Sequence, residues 1–260
     1  MPEGVEVEIY RRSAEAVVGR RVAGVDTPDA RMLKRGLEPA ELAAASVGER
    51  VTGTDRRGKL LLLDLTGGHR LGIRFGMTGR LVVDGVAPIE QLEYAPTGSD
   101  AAWERFGLRF DDGGELRLID PRRLGGVELD PDLARLGPDL FTVTLAEMRA
   151  RVFVGAVALK ARLLDQARLA GVGNLIADET LWRAGVAPDR PAGSLTGPEQ
   201  RRLHRHLRAL VPELLVQGGS HTGRLQPERS PLGCCPRDGA PLVRGRIGGR
   251  TTYSCPAHQH

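Results

Sequence analysis

Along the first twenty residues, apolar side chains recur at helical rather than strand spacing. Val5, Ile9, Ala16 and Val17 fall among the apolar positions and Arg11, Arg12 and Glu15 among the polar ones, which predicts an amphipathic helix over 3–18. Between about 50 and 127 the apolar residues instead come in short runs bounded by glycine, LLLLDL at 60–65 and RLVVDG at 80–85. The stretch FGLRFDDGGELRLID (106–120) alternates on either side of a DDGG turn and predicts a hairpin. From about 138 the helical period returns, in TLAEMRARVF (144–153), VALKARLLDQ (157–166), GNLIADETLWRAG (173–185) and PEQRRLHRHLRALVPELLVQ (198–217). Thr196, with Glu199 three residues on, reads as the N-cap of the last. After Gly218 and Gly219 come a Gly/Pro/Ser-rich stretch and a terminal hairpin that carries every cysteine.

This order predicts an α+β chain in three parts. A β-rich domain led by one helix spans 1–137, a helical domain 138–229, and the cysteine-bearing hairpin 230–260. Composition adds little, since 41% hydrophobic and 27% charged residues over 260 positions is ordinary for a globular protein. No run of 18 apolar residues and no signal-peptide core is present, so a cytoplasmic protein without a membrane partner is expected. Three cysteines, all between 234 and 255, do not make a disulfide framework in that compartment.

Charge changes the picture more. Residues 1–140 carry 20 Lys+Arg against 24 Asp+Glu, a net of −4, whereas 141–260 carry 17 against 9, a net of +8. A basic second half suits a polyanion, nucleic acid first, although a solvated arginine-rich surface gives the same count. Only Lys34, Lys59 and Lys160 of the 37 basic residues are lysines. Ammonium and guanidinium chemistry differ, so each remaining lysine is a candidate for a specific task.

The candidate chemistry begins at MPEG. Removal of the initiator methionine would leave Pro2 as a secondary amine followed at once by the Glu3 carboxylate. An α-amino group has an ordinary pKa of roughly 7.7–8.0, so part of it is neutral and nucleophilic near pH 7. Pro and Glu are equally at home in the first turn of a helix, which is the plainer explanation of the same residues. GVGN at 171–174, ahead of a helix, offers backbone N–H groups to a phosphate, or is a mere tight turn.

Taken together, PEGVEVE, RRGK (56–59), RFGMTG (74–79), IDPRRLGG (119–126), LLDQARLAGVGNLIADE (163–179) and the terminal hairpin resemble the formamidopyrimidine-DNA glycosylase/endonuclease VIII family. They occur in the family's order over nearly the whole chain. The resemblance implies an N-terminal β-sandwich, a helix–two-turn–helix domain and a zinc-finger-like hairpin. It implies a bifunctional glycosylase/AP lyase that flips a damaged base out of double-stranded DNA, working as a monomer without a small-molecule cofactor. In that family the N-terminal proline attacks the sugar and forms an iminium ion, the adjacent glutamate moves protons, and a lysine reaches the phosphate near the lesion. Matched onto this chain, the catalytic set is Pro2, Glu3, Glu6 and Lys59.

The resemblance likewise implies DNA contacts from Lys160, from Asn174 of the GVGN turn and from Arg250 of the hairpin. Met77, Arg122 and Leu124 match the side chains that fill the hole left by the flipped base, with leucine in place of the usual phenylalanine. The family's two Cys-x-x-Cys pairs, sixteen residues apart, fall on Cys235, Asp238, Cys255 and His258, an altered but zinc-competent set; the alternative is a metal-free hairpin held by packing. The segment 218–233 is shorter than the loop that caps an oxidised purine in the formamidopyrimidine type, which leaves the lesion open. Rival readings are a non-catalytic DNA-binding relative, a metal-dependent nuclease built on the hairpin cluster, and a glycosylase for bulky or alkylated bases.

Overall fold

The computed structural model describes residues 2–89, 92 and 100–260. They gather into two compact units, one of Pro2 with Glu6–Leu133 and one of Glu3–Val5 with Ala134–His260. The architecture is α+β.

Helix α1 (Gly4–Ala14) opens the chain and ends earlier than its periodicity predicts, because Glu15–Val17 tightens into a single 3-10 turn. The first unit then builds two antiparallel four-stranded sheets. One is ordered β1 (Val22–Asp26), β6 (Glu104–Phe110), β7 (Glu115–Ile119) and β5 (Arg80–Val83). The other is ordered β2 (Val51–Arg57), β3 (Leu60–Leu65), β4 (Arg70–Arg74) and β8 (Gly126–Leu129). The expected DDGG hairpin is β6–β7. The periodicity reading missed β1, which has a central glycine, and the eight-residue helix α2 (Pro39–Ser46).

One apolar core joins the two sheets. Phe106, Leu108, Leu116 and Leu118 enter it from the first, Leu61, Leu63, Leu71 and Ile73 from the second, and Val7, Tyr10 and Ala14 from α1. Leu61, Leu63 and Leu65 share a face of β3 as the strand period requires, and each fully buried leucine contributes about 1.5–3 kcal/mol.

The second unit holds α3 (Leu145–Arg151), α4 (Leu159–Leu164), α5 (Asn174–Ala184), α6 (Gly197–Gln217) and the hairpin of β9 (Val243–Ile247) and β10 (Arg250–Ser254). Both Thr144–Glu147 and Thr196–Glu199 form reciprocal capping boxes, so α3 and α6 start where the sequence places a threonine three residues before a glutamate. Among the described residues no helix is long and apolar enough to cross a membrane.

Candidate active site and metal centre

Pro2 is buried and, with Lys59, Arg74, Phe75, Gly76 and Leu124, lines a cavity of about 180 Å³ in the first unit. Lys59 reaches it from the two-residue loop Gly58–Lys59 that joins β2 to β3, where Gly58 takes a left-handed φ of 59°. The loop is fastened to α1 by Arg56, whose Nε lies 3.3 Å from Glu8 Oε2 with both side chains largely buried. Burial works to raise the Glu8 pKa, but hydrogen bonds from Arg11 and Arg12 and the nearby charge of Arg56 outweigh it and hold the carboxyl below its ordinary value. Sequence reasoning did not single out Glu8 or Arg56.

Two loops meet above that cavity, and one carboxylate ties them together. Asp120 is fully buried and accepts from Thr78 Oγ1 (2.6 Å) in one loop and from the backbone N–H groups of Arg122 (3.2 Å), Leu124 (2.8 Å) and Gly125 (2.8 Å) in the other. Gly76 makes the close approach feasible, since a Cβ there would lie 2.4 Å from the Leu124 carbonyl carbon. The result holds Met77 half-buried and leaves Arg122 and Leu124 at the surface, Leu124 with 49% of its area exposed. An apolar residue displayed by a rigid loop is suited to insertion between bases. The Asp-Pro pair of IDPRR was the available signal for Asp120, because an aspartate before a turn accepts from backbone N–H groups ahead of it.

In the second unit the GVGN turn is occupied by a side chain from the other end of the sequence. Glu3 is fully buried, and its carboxylate accepts from Gly173 N (2.8 Å), Leu175 N (2.8 Å) and Ile176 N (3.2 Å). It therefore caps α5, whose own N-cap residue is a glycine without a capping side chain. Gly173 is required here, because a Cβ would sit 2.3 Å from the Glu3 carboxyl carbon. Asn174 follows at the first position of α5, half-buried, with no hydrogen-bond partner for its Oδ1 among the described residues. Glu6 is buried on α1, where its charge adds to burial in pushing the Tyr10 hydroxyl above its ordinary pKa.

Lys160 is not a DNA-facing residue. Its side chain is fully buried, with Nζ 2.6 Å from Asp178 Oδ1 and donating to Thr252 Oγ1 (2.7 Å) and the Thr251 carbonyl (3.1 Å). A phosphate cannot reach it. Burial lowers its pKa against the opposing pull of Asp178. Asp178 also pairs with Arg229 and accepts from Tyr253 N, so one buried charge network joins α4, α5 and β10. Arg250 itself is exposed, directly after the Gly248–Gly249 turn whose φ values of 58° and 75° suit a tight two-residue hairpin.

The hairpin brings Cys235, Asp238, Cys255 and His258 together, with one ligand atom from each lying within 4.8 Å of the others. His258 Nδ1 lies 3.6 Å from Cys235 Sγ, and Cys255 Sγ lies 3.4 Å from Asp238 Oδ2. These separations suit four donors around one cation. The surroundings support the same reading: Trp182 O lies 3.2 Å from His258 Nε2 and leaves Nδ1 facing the cluster, while the N–H of Arg237 donates to Cys235 Sγ at 3.4 Å. Burial pushes the Cys255 thiol up to about 11, so metal binding there would release a proton. These four residues can hold a metal ion.

The family model described as the formamidopyrimidine-DNA glycosylase N-terminal domain matches residues 1–127, and that described as the H2TH domain matches 130–224. The chain belongs to the formamidopyrimidine-DNA glycosylase family. Formamidopyrimidine-DNA glycosylases of Geobacter metallireducens (36% identical) and Nocardia farcinica (35%) align with all of this chain and with 100% and 98% of their own lengths. Among solved structures, Lactococcus lactis Fpg bound to FAPY-dG-containing DNA matches with a TM-score of 0.82 at 25% identity, covering 98% of this chain and 99% of that one. The same enzyme with abasic-site DNA matches at 0.82 and 25%, covering 99% of each. The family fits the motifs assembled here.

Proposed function

We propose that this protein is a bifunctional DNA glycosylase/AP lyase that excises damaged bases from double-stranded DNA. The observation that carries the proposal is the cavity holding Pro2 beside Lys59 and Arg74 in a chain of this family. Once the initiator methionine is removed, the Pro2 nitrogen is a free secondary amine, and neighbouring cations favour the neutral, nucleophilic form of an amine. Attack on C1′ of the damaged nucleotide forms an N–C bond as the glycosidic C–N bond breaks and the base departs with a proton; the C1′–O4′ ring bond then opens, O4′ takes up a proton, and an iminium ion results. The iminium acidifies the C2′ proton. Its loss drives breakage of the C3′–O bond, which cuts the strand.

In this reading Lys59 engages the phosphate beside the lesion, Glu3 and Glu6 orient and protonate, and Met77, Arg122 and Leu124 occupy the space vacated by the flipped base. Asn174 and Arg250 bind backbone phosphates, and zinc at Cys235, Asp238, Cys255 and His258 holds the hairpin in shape. The functional parts are a catalytic sandwich (1–137), a helical DNA-binding domain (138–229) and the hairpin (230–260). Support for a damaged-DNA substrate comes from the Lactococcus lactis Fpg complexes with FAPY-dG and abasic-site DNA.

Borohydride trapping on a duplex with one abasic site tests the mechanism. Wild type is expected to form a stable protein–DNA adduct through Pro2, and Pro2→Gly to lose nearly all of the strand cleavage. Tight binding with no adduct would leave a non-cutting relative instead.

A further inference from the structure

At the C-terminal end of α5, Trp182, Arg183, His206, Arg224, Pro236 and Arg237 enclose a pocket of about 310 Å³. It lies eight residues along α5 from Asn174, about 12 Å by helical rise, so it is separate from the GVGN turn. The balance of charge in it is uneven. The lining residue Arg183 is already compensated by two carboxylates, Glu179 at 2.7 Å and Glu213 through two bonds at 2.6 and 2.7 Å. Glu179 further accepts from the backbone N–H groups of Arg224 and Leu225.

The guanidinium groups of Arg224 and Arg237 form no salt bridge among the described residues. Arg237 gives one N–H to the Arg183 carbonyl and lies 5.3 Å over the Trp182 ring, which fixes its plane and leaves its charge uncompensated. Half-buried His206 sits among these groups. Burial lowers its pKa first, and the charges of Arg205, Arg183, Arg237 and Arg202 add to the effect.

We propose that this pocket binds a phosphate group. Two guanidinium groups without a salt bridge among the described residues and an imidazole around one concavity match a tetrahedral oxyanion. Trp182 is 97% buried, so the pocket offers no face on which a base could stack. The ligand is therefore recognised by its phosphate alone. Its source is either a backbone phosphate of nucleic acid held away from the catalytic cavity or a free phosphate.

The test follows the His206 ring by NMR in the full-length protein, assigned with His206→Gln, as inorganic phosphate is titrated against chloride at matched ionic strength. Wild type is expected to show a saturable phosphate-specific shift, and Arg224→Gln to bind at least tenfold more weakly. Arg224 is exposed, so that variant should fold. Chloride giving the same shift, or Arg224→Gln binding phosphate as wild type does, would overturn the proposal. A second arm measures undamaged-duplex affinity against salt. A log–log slope reduced by about one in Arg224→Gln identifies the backbone as the source, and an unchanged slope in a variant that has lost the inorganic-phosphate shift identifies free phosphate. Neither arm depends on excision activity.

Discussion

At the residue scale, two interactions make the sharpest predictions. Gly173 exists to let the Glu3 carboxylate reach the start of α5, so Gly173→Ala should cost about 1–3 kcal/mol in urea unfolding by overpacking. Combining it with Glu3→Gly, which removes the obstructing carboxylate, should cost less than the sum of the two single changes. A Gly173→Ala variant as stable as wild type would show that the close approach is not needed.

Glu199 makes a second case. Hydrogen bonds from Arg190 first, then from Thr196, hold its carboxyl down to about 2, against 4.5 for an unperturbed one. A depressed carboxyl pKa stabilises the fold above about pH 4.5, and that stability is lost as pH falls towards 2. Glu199→Gln should lower unfolding free energy at pH 7 by about 1–2 kcal/mol, with the gap to wild type closing between pH 4.5 and 2. A gap that does not change with pH would assign the loss to geometry rather than charge.

At the scale of elements, the Lys160–Asp178–Arg229 network couples α4 and α5 to the hairpin strand that begins at Arg250. Asp178→Asn leaves two buried cations facing each other and should cost about 3–5 kcal/mol. Lys160→Met leaves Asp178 paired with Arg229 and should cost clearly less. Denaturation of both variants measures the order, and the reverse order would place the main countercharge elsewhere. This network explains why a lysine persists at 160 in an arginine-rich chain. A compact ammonium fits between a carboxylate and two threonine oxygens, where a planar guanidinium would not.

At the scale of the whole molecule, the +8 charge of residues 141–260 coincides with the unit that carries Asn174, Arg250 and the phosphate pocket. The hairpin packs its own small core of Trp182, Leu225, Cys235, Leu242, Tyr253 and Cys255, and two members of that core are among the four metal-competent residues. If a metal ion occupies these residues, its removal should therefore loosen this core and leave the sandwich, which has a separate core, intact. Dialysis against a chelator is expected to red-shift tryptophan emission and lower the first thermal transition, with recovery on adding zinc. Protein purified without zinc that shows no change on chelation would mean a hairpin held by packing alone.

Local signals were legible where chemistry and geometry are local. The strand alternation around DDGG, the capping boxes at Thr144 and Thr196 and the His/Cys/Asp spacing of the hairpin each depend on residues a few positions apart, so the sequence alone determined them. The family motifs gave Pro2 and Lys59 as catalytic candidates and Leu124 as a wedge candidate, and only the fold shows that all three line one cavity. Lys160 went the other way: its identity stood out, but its burial depends on Asp178 and Thr252, eighteen and ninety-two positions distant. The same holds for Glu3 at Gly173, for Asp120 bridging two loops and for Arg237 above Trp182. A charged residue reads identically in sequence whether it is solvated, paired or poised on a phosphate. Tertiary structure decides among these, because the partner that compensates a buried charge is brought to it by the fold and not by the chain's order.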